Sequence, residues 1–345
     1  MEMTFFQVLW FFLIFLLIAG YFVLDGFDLG AGVLYPFVAK SERDKAVVRR
    51  SIGPVWDGNE VWLLTAGGAL FAAFPPAYAT TFSGFYLAVM LVLFGLIVRA
   101  VSVEFRGHDP QWARTWDACF FVGSLLPALL LGVAVGNIYA GIPMDAAGNY
   151  IGLPLIGLIT PFTLLTGLLG LAMFLAAGAT WIALKAPKPS ELQARAAKLR
   201  LPLQVVALVL FAAVSLYGHF GIQPAMDPAL GVLRWVFALV FVAGIVVSLV
   251  LAKKKDCDKG AFVAQSASAV ALVGLLATSM FPNLVVASAG SIGPNITLMS
   301  AASSELSLMW MTIITCVGLP LVLVYHMIVY RTFRGRVSDD DLGHY

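Results

Sequence analysis

Charge is scarce in this sequence. Asp, Glu, Lys and Arg make up 12% of its 345 residues, about half of the ~25% usual in soluble domains, and the mean hydropathy is +0.93. A soluble enzyme with a single anchor is excluded, because apolar runs long enough to cross a ~30 Å hydrocarbon layer recur along the whole chain. Cysteine is scarce too. Cys119, Cys257 and Cys316 are odd in number and far apart, which excludes a disulfide framework or a zinc-ligand spacing. There is no P-loop, no GxGxxG turn after a strand and no HExxH helix. The start, Met1-Glu2-Met3-Thr4, lacks the basic segment and small-residue cleavage site of a signal peptide, so the first apolar run is expected to stay as a span.

What is present is a series of hydrophobic runs with polar interruptions. It reads as an all-α polytopic membrane protein with nine spans near 5–26, 56–74, 79–103, 113–139, 157–184, 202–221, 231–252, 260–281 and 306–330. The first apolar stretch continues to Ala39, too long for one upright span, so it tilts or ends as an interfacial helix. Apart from Arg234, the basic residues, 20 of the 21, fall on alternate loops: Lys40 to Arg50, Arg99 to Arg114, Lys185 to Arg200, Lys253 to Lys259 and the tail from Arg331. The positive-inside rule then places the N-terminus outside and the C-terminus in the cytoplasm. The chain is expected to be one integral-membrane domain, with four-helix bundles over 1–140 and 157–281 and a peripheral ninth helix over 306–330. Gly26/Gly30 and Gly132/Gly136 have the spacing that permits close helix approach. The run Lys253-Lys254-Lys255 suits contact with anionic lipid and is too small for nucleic acid.

Four carboxylates break the pattern. Span 1 ends in Leu24-Asp25-Gly26-Phe27-Asp28-Leu29-Gly30, and span 2 begins Trp56-Asp57-Gly58-Asn59-Glu60-Val61-Trp62. Asp25 and Asp28 share a helical face by their i,i+3 spacing, as do Asp57 and Glu60. A carboxylate at the centre of a spanning helix costs roughly 2.5–3.5 kcal/mol, so four at similar depth need a reason. Held together in low dielectric they cannot all be charged at once, which suits them to passing protons from the cytoplasm. Asp117, near the inner start of span 4, is a candidate fifth member. The plainer alternative is that these acids cap helix ends and pair with Arg99, Arg106 or Arg114. That alternative weighs most for Asp28 and Asp117, and least for Asp57 and Glu60, which lie between Trp56 and Trp62. Of the histidines His108, His219, His326 and His344, only His326 lies plainly within a span, so no haem site of the chain's own is expected, and no metal site.

At these residues the sequence resembles a known family. Asp25-Gly26-Phe27-Asp28-Leu29-Gly30 and Trp56-Asp57-Gly58-Asn59-Glu60-Val61-Trp62-Leu63 are similar to the signature segments of subunit II of cytochrome bd-type quinol oxidases. Thr65 to Ala73, Phe82 to Tyr86, Trp116-Asp117, Gly123-Ser124, Gly132 to Asn137, Met280-Phe281-Pro282 and Ser303 to Leu306 extend the likeness over nearly the whole chain. The resemblance implies a partner, subunit I, that carries haem b and haem d-type groups, oxidises quinol and reduces oxygen to water. It also implies proton-motive force made without pumping in the bacterial cytoplasmic membrane, with a possible small accessory subunit and a possible structural quinone in this chain.

Carried over by position, Asp57 matches the family aspartate of the cytoplasmic proton route. Asp25 is its polar neighbour, with Glu60, Asp28 and Asp117 behind, and Trp62 matches a tryptophan near an oxygen route. Trp56, Asn59 and Arg99 are expected to support these groups. Two departures limit the transfer: Val55 stands where better-known members have histidine, and Glu60 where some have glutamine. The span 6–7 loop is short, as in the shorter, often cyanide-insensitive members. The rival reading is a cation-coupled secondary transporter. Against it, the acids lie off-centre and the corresponding half of the chain has none.

Overall fold

A computed structural model describes residues 3–222, 226–254 and 256–344, the side chains of 343 and 344 excepted. Lys255 of the lysine run lies outside the described residues. Thirteen α-helices run along the described chain, and their boundaries follow local chemistry. The first, α1 (Phe5–Leu24), opens on a capping box in which Thr4 accepts from the Gln7 backbone and Gln7 answers the Thr4 backbone. Backbone bonds carry through Asp25 into α2 (Gly26–Val38): the Asp25 amide donates to Tyr21 at 2.9 Å and the Leu29 amide to Asp25 at 2.9 Å. The resulting 34-residue run is about 50 Å long at 1.5 Å per residue. Its excess over the hydrocarbon thickness is that expected from the apolar stretch reaching Ala39.

A short polar helix, α3 (Glu42–Ile52), begins at a Ser41/Asp44 capping box. The next helix, α4 (Trp56–Ala73), is followed by α5 (Pro75–Gly84) and α6 (Tyr86–Phe105). A span over 79–103 was expected from hydropathy. Instead the helix starts at Pro75–Pro76, whose missing N–H groups suit a first turn, and is interrupted at Phe85. There, bare Gly84 admits the Tyr150 side chain. The remaining spans are α7 (Ala113–Ala140), α8 (Pro161–Lys185), α9 (Glu191–Tyr217, ending in a π-turn over Gly218–Ile222), α10 (Gly231–Ala252) and α11 (Asp258–Met280). A two-stranded antiparallel ribbon, β1 (Asn283–Val285) with β2 (Ile296–Thr297), leads through α12 (Leu298–Ala301) to α13 (Glu305–Thr332).

Among the described residues, eight helices are long and apolar enough to cross a membrane. The helix α4, read above as the second span, is not one of them, because Asp57, Asn59 and Glu60 in its first turns lower its hydropathy. It lies against α1 all the same. The α1–α2 run is the central post: α1 packs on α4 and α11, and α2 on α7 and α8. Helices α6 and α7 pair, as do α8 with α9 and α10 with α11. Glycine spacing identified two close crossings. A Cβ on Gly30 would overlap the Phe174 carbonyl, Gly178 meets Gly30 in return, and Gly132 lies against Gly167.

Ion pairs between segments gather the basic loops at one end of the molecule. Arg43 joins Asp339 (2.7 Å), Arg195 joins Asp44 (2.6 Å), Arg106 joins Glu42 (2.5 Å) and Arg336 joins Asp258 (2.8 Å). The opposite end is closed by the ribbon, where the Ile142 amide donates to Val286 (3.0 Å) and the Ser303 amide to Ala73 (2.8 Å).

Candidate functional site

The site forms where the break at Asp25 faces the start of α4. Asp25 and Arg99, on α6, are both fully buried. They make a bidentate pair, Arg99 Nη2 to Asp25 Oδ1 at 2.6 Å and Nη1 to Oδ2 at 3.1 Å. A planar guanidinium matches a carboxylate in this fork geometry, and the match offsets part of the desolvation of both charges. One turn on, Asp28 is also fully buried. Its Oδ2 accepts from Asn59 Nδ2 at 2.7 Å, and Asn59 Oδ1 accepts from the Tyr330 hydroxyl at 2.9 Å. This chain links α2, α4 and α13. Asparagine suits this place, because its carboxamide donates to the carboxylate through Nδ2 and accepts from the hydroxyl through Oδ1. Asp28 Oδ1, Arg99 Nε and the Tyr21 hydroxyl, all in this cluster, find no protein partner among the described residues.

Trp62 lies on the bare backbone of Gly20 and donates through Nε1 to His326 Nε2 at 3.2 Å. His326 Nδ1 is 3.0 Å from the Val322 carbonyl. Both contacts are satisfied by a neutral ring with its proton on Nδ1. With both nitrogens engaged, His326 does not fit a haem iron. Among the described residues no three or more His, Cys, Asp or Glu are grouped to hold a metal ion.

The expected four-carboxylate cluster divides in two. Asp25 and Asp28 face inward, while Asp57 is exposed on the other side of α4 and Glu60 is half-buried between them. Neither Asp57 nor Glu60 has a hydrogen bond or ion pair among the described residues. The division follows from helix geometry: Asp57 and Asn59 are two residues apart, about 200° around the axis, so only one of them can face α2. Trp56 is half-buried beneath this turn.

Asp117 does not join the group. It accepts from Lys45 Nζ (2.8 Å), Arg106 Nε (2.8 Å) and the Tyr35 hydroxyl (2.9 Å), tying α7 to α3 and α6. The pairing alternative therefore describes Asp117 with Arg106 and Asp25 with Arg99; Asp28 instead takes Asn59. Outside the spans, hydrogen bonds from Lys45 and then Arg106 hold the Glu42 carboxyl below its ordinary value. Tyr330 and Tyr21 went unnoticed in the sequence. Tyrosine near a helix end is ordinary, and only the packing of α13 on α4 shows what Tyr330 meets.

Asp57 stands at the head of an exposed apolar stripe on α4. Val61, Leu64 and Phe71 follow it along α4, and Leu91, Phe94 and Ile97 of α6 are exposed as well. Helix α13 exposes nearly its whole length, including Trp310, Ile314, Leu321 and Tyr325. It is held by the Tyr330 and His326 contacts and by Trp10, whose Nε1 donates to the Leu308 carbonyl (3.0 Å) and the Thr312 hydroxyl (3.0 Å).

Comparison with known proteins places this architecture. The chain is 33% identical to the cytochrome bd-I ubiquinol oxidase subunit 2 of Escherichia coli (strain K12), over 97% of this chain and 96% of that protein. It is 36% identical to the cytochrome bd ubiquinol oxidase subunit 2 of Bacillus subtilis (strain 168), over 96% of each. Among solved structures, a chain of the bd oxidase from Geobacillus thermodenitrificans has the same fold, with a TM-score of 0.78 at 16% identity, covering 96% of this chain and 99% of that one. The model of the family described as cytochrome bd terminal oxidase subunit II matches residues 6–333. With nearly the whole chain matched, it belongs to the subunit II family of cytochrome bd terminal oxidases and serves in a quinol oxidase complex of the respiratory chain.

Proposed function

We propose that this chain is the non-haem subunit that supports the haem-bearing subunit I and lines its supply of protons for the reduction of oxygen to water. The observation that carries the proposal is the pair Asp57 and Glu60. Two carboxylates without hydrogen-bond partners in the described residues stand at the head of an exposed apolar helix face. Facing lipid, each would be costly, up to the roughly 2.5–3.5 kcal/mol that insertion scales give at a helix centre. Facing a partner subunit, they become polar groups at a protein interface. The face of α4, α6 and α13 is therefore read as the seat of subunit I, and Asp57 and Glu60 as the groups that hand protons across. Behind them, the Asp25–Arg99 pair forms a fixed charged floor, with Asp28 beside it.

The basic end of the molecule is read as cytoplasmic, from the positive-inside bias. Protons drawn from that side, with quinol oxidised toward the other, make proton-motive force without a pump. Haem and quinol chemistry belong to the partner. Membership of the oxidase family leaves the transporter reading with no observation of its own.

Asp57→Asn in the assembled complex tests the proposal. Oxygen consumption with quinol should fall while haem content stays at the wild-type level. Full haem content with normal turnover would show that Asp57 is not an essential conduit.

A further inference from the structure

The proposed proton supply leaves unused a cavity of about 170 Å³ at the basic end of the molecule, between the end of α3, the end of α8 and the chain after α13. Its lining includes Arg50, Lys185, Arg336 and Asp341 together with the apolar Trp181 and Phe333. Lys185 Nζ donates to the Phe333 and Gly335 carbonyls, and Arg336 Nη1 to the Ala183 and Ala186 carbonyls at 3.0 and 2.7 Å, so the cavity wall is pinned open. A roomy cavity with several polar groups holds water. Its mouth is bordered by exposed Thr332, Phe333 and Gly335.

Tyr330 also lines this cavity, and its hydroxyl is the same one that donates to Asn59, which donates in turn to Asp28. Every hydrogen bond in that chain points from the cavity toward the buried acid. Beyond it, the fully buried Asp28 Oδ1, Arg99 Nε and Tyr21 hydroxyl need partners that the protein does not provide among the described residues. Polar groups of this kind are met by internal water, which takes two to four partners.

We propose that this cavity is an aqueous vestibule feeding protons to Asp28 by way of the Tyr330 hydroxyl, and that Asn59 is the positioning residue that holds Asp28 for it. The proposal rests on the proton-supply reading above and adds an entrance to it inside this chain, separate from exposed Asp57. The Tyr330 hydroxyl turns from Asn59 Oδ1 to a water on the Asp28 side and hands its proton to that water in the same step in which Oη takes one from a hydronium in the vestibule. That water passes a proton to Asp28 Oδ1, and the carboxylate becomes a carboxylic acid. Release through water to Glu60 restores it. One proton is displaced and nothing is oxidised. A carboxamide does not titrate, so Asn59 fixes geometry and carries no charge.

The test uses the assembled oxidase. Tyr330→Phe should slow oxygen consumption several-fold and enlarge the slowing in D₂O, with haem content and quinol KM as in the wild type. Gly335→Trp, where an added Cβ has no neighbour within 4 Å, should narrow the mouth and act in the same direction. Thr312→Val, which loosens α13 at its other end, should change neither turnover nor the isotope effect, and so separates a lost relay from a loosened helix. If Tyr330→Phe does not assemble, Gly335→Trp decides: slowed turnover supports the vestibule and normal turnover overturns it. Normal kinetics in both variants alongside a slowed Asp57→Asn would refute the vestibule and leave the proton-supply reading standing. Normal kinetics in all three would overturn both.

Discussion

Removal of Arg99 is the sharpest perturbation of the site. Its guanidinium and the Asp25 carboxylate are both without solvent exposure and meet at 2.6 and 3.1 Å. In Arg99→Met the two hydrogen bonds vanish and Asp25 is left buried beside Asp28, whose Oδ1 already has no partner among the described residues. Breaking a buried pair by removing one member costs about 3–5 kcal/mol. At 1.4 kcal/mol per decade, that is roughly two to three and a half powers of ten in the ratio of folded to unfolded protein. Asp25→Leu should cost a similar amount, because it strands the guanidinium. The double variant Arg99→Met/Asp25→Leu leaves neither charge and should recover most of the loss. Unfolding of the purified complex in denaturant, followed by tryptophan fluorescence, measures all three, and the cycle yields the coupling directly. A single variant costing under ~1 kcal/mol, the size of an exposed pair, would refute the description. So would a double variant that costs the sum of the singles.

Two further outcomes follow from the packing and the surface charges. Gly178→Leu should abolish assembly, since its Cβ would overlap the Gly30 backbone, whereas Gly170→Ala, with its nearest neighbour at 3.6 Å, should be tolerated; haem content of the purified complex distinguishes them. Glu42, held below its ordinary value of 4.5 by Lys45 and Arg106, contributes stability that is present above that value and is lost as pH falls through the lower folded one. Because its side chain is 71% exposed, the contribution is under ~1 kcal/mol. Glu42→Gln should flatten the acid limb of a thermal-stability profile by that amount, and an unchanged limb would refute the assignment.

The sequence alone determined what depends on the solvent around each segment. A bilayer admits only backbones that satisfy their own hydrogen bonds, and for long unbroken apolar runs that means helices, so composition locates most of the spans whatever their packing. The basic residues locate the loops, which the structure brings together at one end. The unusual acids were visible because charge in an apolar run is costly. The start of α5 and the break at Phe85 were not visible, because Ala77 to Tyr86 is apolar enough to pass for one run.

Tertiary structure decided which acids share a site. The i,i+3 spacing correctly relates Asp57 to Glu60 and Asp25 to Asp28, yet it cannot say which face of α4 turns toward α2. That rotation is set by Trp62 seating on Gly20 and by α13 packing against Gly58, where a Cβ would stand 3.5 Å from the Tyr325 ring. With α4 so turned, Asn59 points inward and Asp57 outward. Arg99 and Tyr330, 74 and 302 residues from Asp25 and Asp28 respectively, reach the site only through helix packing. Hydropathy is a property of each residue and survives in the sequence. Partnership is a property of two surfaces in contact, and nothing in local spacing encodes it.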